Sequence, residues 1–254
     1  MRAAAYLGDL GGLPAAAGRS LVLLDLRGTG ESQTPADPSS YRVDRQVDDV
    51  EALRAQLGLE RIDLLAHSAS GDLALLYAGR YPQRIRSLVL VTARARAAGI
   101  EFPLDGRREA LALRSGEPWY DEAVPAFERA MAGEATEDDW RFLQRLAYGR
   151  WDAEAQAHAA ADEDCDNEEA ALAYPGPGAF AGAAGVREVL AELDAPVLVV
   201  AGELDPSPRP DKAAEVAAIF PRGELVVQTG AGHYPWLDDP KLFVRTVCEF
   251  LSRA

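Results

Sequence analysis

Four short runs of the chain are apolar at nearly every position. They are Leu21-Val22-Leu23-Leu24-Asp25-Leu26, Ile62-Asp63-Leu64-Leu65-Ala66, Ser87-Leu88-Val89-Leu90-Val91-Thr92 and Pro196-Val197-Leu198-Val199-Val200-Ala201-Gly202. Runs of that length, bounded by turn residues, predict strands buried on both faces, which is the habit of a parallel sheet. Glu224-Leu225-Val226-Val227-Gln228 predicts one more. Between the strands the apolar spacing turns helical. From Tyr41 to Leu57 it falls at Val43, Val47, Val50, Leu53 and Leu57, an amphipathic helix with Ser39 or Ser40 as its N-cap. Further helices are predicted from the Ala/Leu-rich stretch after Ser68 up to Pro82, from Pro210 to Phe220 and from Pro240 to Leu251. Residues 1–18, rich in Ala and Gly, suggest a short helix or coil. Strands alternating with helices at this rhythm predict an α/β fold with a mostly parallel sheet and right-handed crossovers.

The rhythm stops after Ala93. Residues 96–190 hold no strand-like run but contain Trp119, Trp140 and Trp151. Helices are expected near 107–114, 121–132, 136–147, 152–172 and 186–193. The chain therefore divides into a core, 1–95 with 195–254, and an inserted helical lid, 96–194. The lid carries an acidic stretch, Asp162-Glu163-Asp164-Cys165-Asp166-Asn167-Glu168-Glu169.

Composition narrows the function. A chain of 254 residues, 48% hydrophobic, suits one such domain with a lid. Lys+Arg of 26 against Asp+Glu of 41 gives a net charge of −15, which argues against nucleic acid or an anionic membrane surface as partner. Cys165 and Cys248 lie far apart and form no metal-ligand pattern, so a reduced compartment is expected. No apolar run is long enough to span a membrane, and Met1 to Gly18 lacks the features of a signal peptide. A cytoplasmic protein that uses no metal or organic cofactor is expected, with oligomeric state open.

The candidate chemistry starts at Ala66-His67-Ser68-Ala69-Ser70. A strand that runs directly into a helix must bend at one residue, held in a strained conformation among small neighbours. Ser68 stands at that bend, and the Ala69 N–H is placed to donate to an oxyanion. Read alone, Ser68 could equally cap the helix. A serine nucleophile needs a base, and the base an orienting acid. Of three histidines, His67 is next to Ser68 with its ring pointing elsewhere, and His158 reads as a surface residue of the lid. His233, in Gly230-Ala231-Gly232-His233-Tyr234-Pro235-Trp236, follows the last strand in a Gly/Pro-fixed loop. Asp205, in Gly202-Glu203-Leu204-Asp205-Pro206, stands at the carboxyl end of the preceding strand. Capping the helix near Pro210 is the blander role for Asp205, and a polar loop position the blander one for His233. The order Ser68, Asp205, His233, each at a strand's carboxyl end, favours a catalytic triad.

With those residues the chain resembles the α/β-hydrolases, and within them the proline iminopeptidase branch. Asp25-Leu26-Arg27-Gly28-Thr29-Gly30-Glu31-Ser32 is similar to that branch's D-Q-R-G-x-G-x-S, and Tyr148-Gly149-Arg150-Trp151-Asp152 to its W-x-x-W-E. The resemblance implies an α/β-hydrolase sheet with a helical lid and release of an N-terminal, proline-like residue from short peptides. Asp152 would hold the substrate's ammonium group, Glu163 or Glu168 would assist, and Trp151 would help line a small apolar pocket. A solvated helix face is the plainer reading of these carboxylates. The family's loop H-G-G-P-G, half of its oxyanion hole, has no counterpart here, because the sequence starts beyond that point. Losing one such donor costs a factor of ~100–1,000 in rate. A family strand between those ending at Asp25 and Ala66 is missing too, so its neighbours must close up or leave main-chain groups unpaired. An N-terminally shortened enzyme is the expectation. The same triad would also serve a carboxylic-ester or lactone hydrolase, and the incomplete oxyanion hole would suit a protein that keeps the fold without the chemistry.

Overall fold

The computed structural model describes residues 3–163 and 167–254. Two short helices, α1 (Ala3–Leu7) and α2 (Leu13–Ala17), precede α3 (Val47–Gln56) and α4 (Ser70–Arg80). Helices α5 (Asp105–Ala112), α6 (Tyr120–Ala132), α7 (Glu137–Leu143), α8 (Ala153–Glu163), α9 (Glu168–Ala173) and α10 (Ala183–Leu190) fill the strand-free middle of the chain. α11 (Pro210–Ala217), α12 (Pro235–Asp238) and α13 (Pro240–Arg253) complete it. The strands β1 (Ile62–His67), β2 (Ile85–Val91), β3 (Val197–Gly202) and β4 (Gly223–Gln228) pair in parallel in sequence order.

The continuous apolar runs form strands because both faces of the sheet are covered. Leu88, Leu90, Val197 and Val199 pack on one side with Leu73, Leu75, Val216 and Phe220, from α4, α11 and the turn after it. Their neighbours Val89, Val91, Leu198 and Val200 pack on the other with Trp236, Phe243, Val247 and Phe250, from α12 and α13. Alternate residues thus serve different cores, so no position in β2 or β3 can be polar without a partner. Leu111, Ala126, Phe127, Leu143 and Leu146 build a separate apolar cluster within α5 to α7 and the turn that follows.

Two expectations need correction. The helix predicted from Tyr41 begins with two 3-10 turns, Pro38–Tyr41 and Val43–Arg45, and becomes α-helical only at Val47. Asp37, rather than Ser39 or Ser40, supplies the cap, its carboxylate accepting from the Ser39 N–H at 2.9 Å. The run Leu21–Leu26 joins no ladder at all. Residues 21–24 make no backbone hydrogen bond among the described residues. A cavity of about 960 Å³ separates this run from β1 and reaches Ser68 and Ala69. Residues 21–26 and β1 stand apart across this cavity. Within the run, Asp25 ties the Arg27–Ser32 loop to the start of the chain: its carboxylate accepts from the Glu31 N–H at 3.0 Å and from the Ala3 N–H at 2.7 Å.

Candidate active site

Ser68 takes φ 53°, a left-handed conformation costly for any residue but glycine. It is over-determined from both sides: the Ser68 N–H donates to the Val91 carbonyl at 3.1 Å, and the Arg94 N–H to the Ser68 carbonyl at 2.9 Å. The end of β2 thereby clamps the β1–α4 turn. A β-carbon on Gly71 would lie 2.5 Å from the Arg94 carbonyl and 2.6 Å from the Ala93 side chain. Close approach therefore demands glycine at 71, while positions 66 and 70, where the strict motif has glycine, tolerate Ala and Ser. The Ala69 N–H makes no hydrogen bond among the described residues.

The three residues singled out in the sequence meet. Ser68 Oγ lies 2.8 Å from His233 Nε2, and His233 Nδ1 lies 2.9 Å from Asp205 Oδ2. Asp205 is fully buried, and its second oxygen accepts from the Ser207 N–H at 2.8 Å. It does not cap α11, whose N-cap is Arg209 without a side-chain bond. Glu203, the other carboxylate in that turn, accepts instead from the Gly230 N–H at 2.8 Å and braces the two loops together.

His67 turns away from Ser68 Oγ, and His158 is less exposed than the sequence suggested. His67 is buried, and its Nε2 lies 2.8 Å from the His233 carbonyl, which also accepts from Thr92 Oγ1 at 3.0 Å. A carbonyl accepts only, so Nε2 carries the proton, and Nδ1 is left buried without a partner. Burial first, and the nearby His233 ring second, hold the His67 pKa well below the ordinary histidine value. His158 is half-buried, with Tyr148 Oη at 2.8 Å and the Tyr6 carbonyl at 2.8 Å.

The His233 loop is held by contacts no motif announces. Its N–H donates to the Ala147 carbonyl at 2.6 Å. The Asp238 carboxylate accepts from Gly232 at 2.7 Å, Gly149 at 2.9 Å and Arg150 at 3.3 Å, tying the loop to the segment after α7. A β-carbon on Gly149 would meet the Gly230 carbonyl, and one on Gly232 the Ala147 carbonyl. Glycines here allow two main chains to touch. In sequence they read as ordinary loop glycines, and Asp238 had no signal.

Of the expected substrate residues, Asp152 and Trp151 have other visible partners. Asp152 is exposed; its Oδ1 accepts from Glu154 and Ala155 at 3.1 and 3.0 Å at the start of α8, and its Oδ2 pairs with Arg150 Nε at 2.9 Å. Trp151 packs against Tyr148, with ring centres 5.3 Å apart. Glu168 is exposed in the first turn of α9. The side chain of Glu163 lies outside the described residues. From α9 and its flanks, Asn167 donates to the Gly28 carbonyl at 2.8 Å and Tyr174 Oη to the Ala69 carbonyl at 3.3 Å, so this segment leans over the turn that carries Ser68. Arg94 stacks on Phe102 with 5.2 Å to the ring centre, and burial together with the like charges of Arg107 and Arg96 lowers its pKa.

A strained serine on a β1–α4 turn, a histidine after the last strand and a parallel sheet between two helical layers define a known class of fold. The chain belongs to the α/β-hydrolase fold family, whose pattern matches residues 9–240. It is 30% identical over 240 residues to 2-hydroxy-6-oxononadienedioate/2-hydroxy-6-oxononatrienedioate hydrolase 2 of Pseudomonas putida, covering 93% of this chain and 78% of that one. It is 39% identical to the proline iminopeptidase of Saccharolobus solfataricus, but over 74 residues, 29% of this chain and 24% of that one. The crystal structure of the Mycobacterium smegmatis proline iminopeptidase superposes with a TM-score of 0.73 at 26% identity, covering 99% of this chain and 85% of that one. Proline iminopeptidases are thus among its relatives, as are hydrolases of other small molecules, and the chain is a hydrolase-fold enzyme. No helix among the described residues is long and apolar enough to cross a membrane.

Proposed function

We propose that the protein is a serine hydrolase acting on a small carbonyl substrate, with Ser68, His233 and Asp205 as its triad. The observation that carries this is the continuous relay from Ser68 Oγ through His233 to the buried Asp205 carboxylate. Ser68 Oγ attacks the carbonyl carbon while His233 Nε2 takes its proton. The oxyanion forms against the Ala69 N–H, and Asp205 holds Nδ1–H so that the right tautomer faces the serine. His233 then protonates the leaving group, and water releases the acyl group by the same steps in reverse.

For the substrate, a carboxylic ester or lactone fits the surroundings best. An ammonium group would need a carboxylate to receive it, and Asp152 already serves a helix start and Arg150. The second reading is an aminopeptidase releasing an N-terminal, proline-like residue, supported by the likeness to proline iminopeptidases. In that reading Asp152 binds the free amine, with Glu163 or Glu168 as a candidate second ligand.

Intact mass after exposure to a fluorophosphonate tests the triad. One adduct, absent in Ser68→Ala, is expected; folded protein that takes none refutes an activated serine. Asp152→Asn then separates the substrates, since Asn keeps the helix cap and loses the charge. The ester reading expects unchanged kcat/KM on p-nitrophenyl esters and no turnover of prolyl-p-nitroanilide. Turnover of the prolyl compound with a KM at least ~10-fold higher in the variant would install the aminopeptidase instead.

A further inference from the structure

The turn that carries Ser68 and the loop that carries His233 are both tied to one short segment, Val91 to Arg94, although β2 supplies no member of the triad. The Val91 carbonyl and the Arg94 N–H take the two main-chain groups of Ser68, and Thr92 Oγ1 donates to the His233 carbonyl at 3.0 Å. Thr92 itself stands at φ 42°. A branched β-carbon crowds the main chain in that left-handed region, where glycine or asparagine sits more easily. Two bonds hold it there. Its N–H donates to the Val200 carbonyl at 2.7 Å and extends the β2–β3 ladder, a service any residue but proline could perform. The bond to His233 is the one that requires a hydroxyl side chain. Thr92 is buried and does not line the cavity that reaches Ser68, so a substrate there is out of its reach.

We propose that Thr92 is a positioning residue that sets the distance between nucleophile and base; the role rests on Ser68 and His233 being that pair. The His233 carbonyl has two acceptor sites, taken by Thr92 and by His67 Nε2 at 2.8 Å. His67 anchors the base to the turn that carries the nucleophile, and Thr92 anchors it to the end of β2 that clamps the same turn. Two anchors hold residue 233 against both translation and rotation, whereas one leaves a pivot. With the hydroxyl gone, the loop turns about the His67 bond and Nε2 leaves its 2.8 Å line to Ser68 Oγ. Proton transfer needs that hydrogen-bond reach and substrate binding does not, so the loss falls on kcat rather than KM.

The test compares Thr92→Val, which keeps the branched shape and loses the donor, with Thr92→Ser, which keeps the donor and loses a methyl. Thr92→Ala, less crowded at this φ, replaces Thr92→Val if that variant does not fold. A fluorophosphonate reports the activated serine whatever the natural substrate, and p-nitrophenyl acetate reports kcat and KM. Thr92→Val should label ~10–100-fold more slowly than wild type and lose a like factor in kcat, with KM unchanged to within about 2-fold. Thr92→Ser should stay within about 3-fold of wild type in both rates, a rescue that a loss of packing alone would not give. Labelling of folded Thr92→Val or Thr92→Ala at the wild-type rate overturns the role and leaves the triad standing. So does a Thr92→Ser variant as slow as Thr92→Val. Wild type that takes no label removes the triad, and the role with it.

Discussion

His67 makes the stability of this protein depend on pH, in a direction the site geometry fixes. Its ring is 4% exposed, packed edge-on to Trp236 at 4.7 Å and tilted against His233 at the same separation. Protonating it would put a charge and a partnerless Nδ1–H among aromatic rings, so the folded state keeps it neutral and its pKa falls well below 6.5. The unfolded chain has no such restriction and takes a proton near pH 6.5. Below that value the unfolded state therefore binds more protons than the folded one. Stability is full above about pH 6.5 and is lost as pH falls toward the folded pKa. From the linkage relation the loss at pH 5.5 is on the order of 1 kcal/mol, against a negligible loss at pH 7.5. The perturbation is His67→Gln, whose amide can still donate to the His233 carbonyl but does not titrate. Urea unfolding of both proteins at pH 7.5, 6.5 and 5.5 gives the difference curve, in which contributions common to both cancel to first order. Wild type should lose its advantage over the variant by on the order of 1 kcal/mol across that range. Parallel curves would refute the assignment of a neutral, buried His67.

Two further substitutions probe what holds the site together. Asp238→Ala removes three hydrogen bonds that join the His233 loop to Gly149 and Arg150, and should lower stability by about 2–4 kcal/mol in urea unfolding. An effect below about 1 kcal/mol would mean that water replaces the carboxylate. Gly71→Ala drives a β-carbon into the Arg94 carbonyl at 2.5 Å, costing about 1–3 kcal/mol, and shifts the turn that aims Ser68, so kcat/KM should fall by about 100-fold. Gly182→Ala, where the β-carbon meets nothing and the backbone is at φ −94°, is the control and should leave both unchanged.

The strands of the sheet were legible because burial on both faces leaves a one-dimensional trace, an unbroken apolar run. The same trace misled at Leu21–Leu26. An apolar run reports that a segment can be covered on two faces, whereas a strand also needs a neighbour along its edge, and here the neighbouring space is a cavity. That requirement is non-local and has no signature in the run itself. The candidate triad was legible for a related reason: each member sits where a strand ends, and strand ends are punctuated by Gly and Pro. The residues that aim it were not. His67 reads as a spectator because adjacency to Ser68 says nothing about which way a β1 side chain turns, and in the structure it supports His233 through the main chain. Asp238 and Gly149 are 89 residues apart and acquire meaning only when the two loops touch. Asp152 shows the converse. A carboxylate two residues after an arginine and directly ahead of a helix is first of all a cap and an ion pair. A motif match there points to a position in the fold, and the charge at that position is free for a substrate only if its neighbours leave it so.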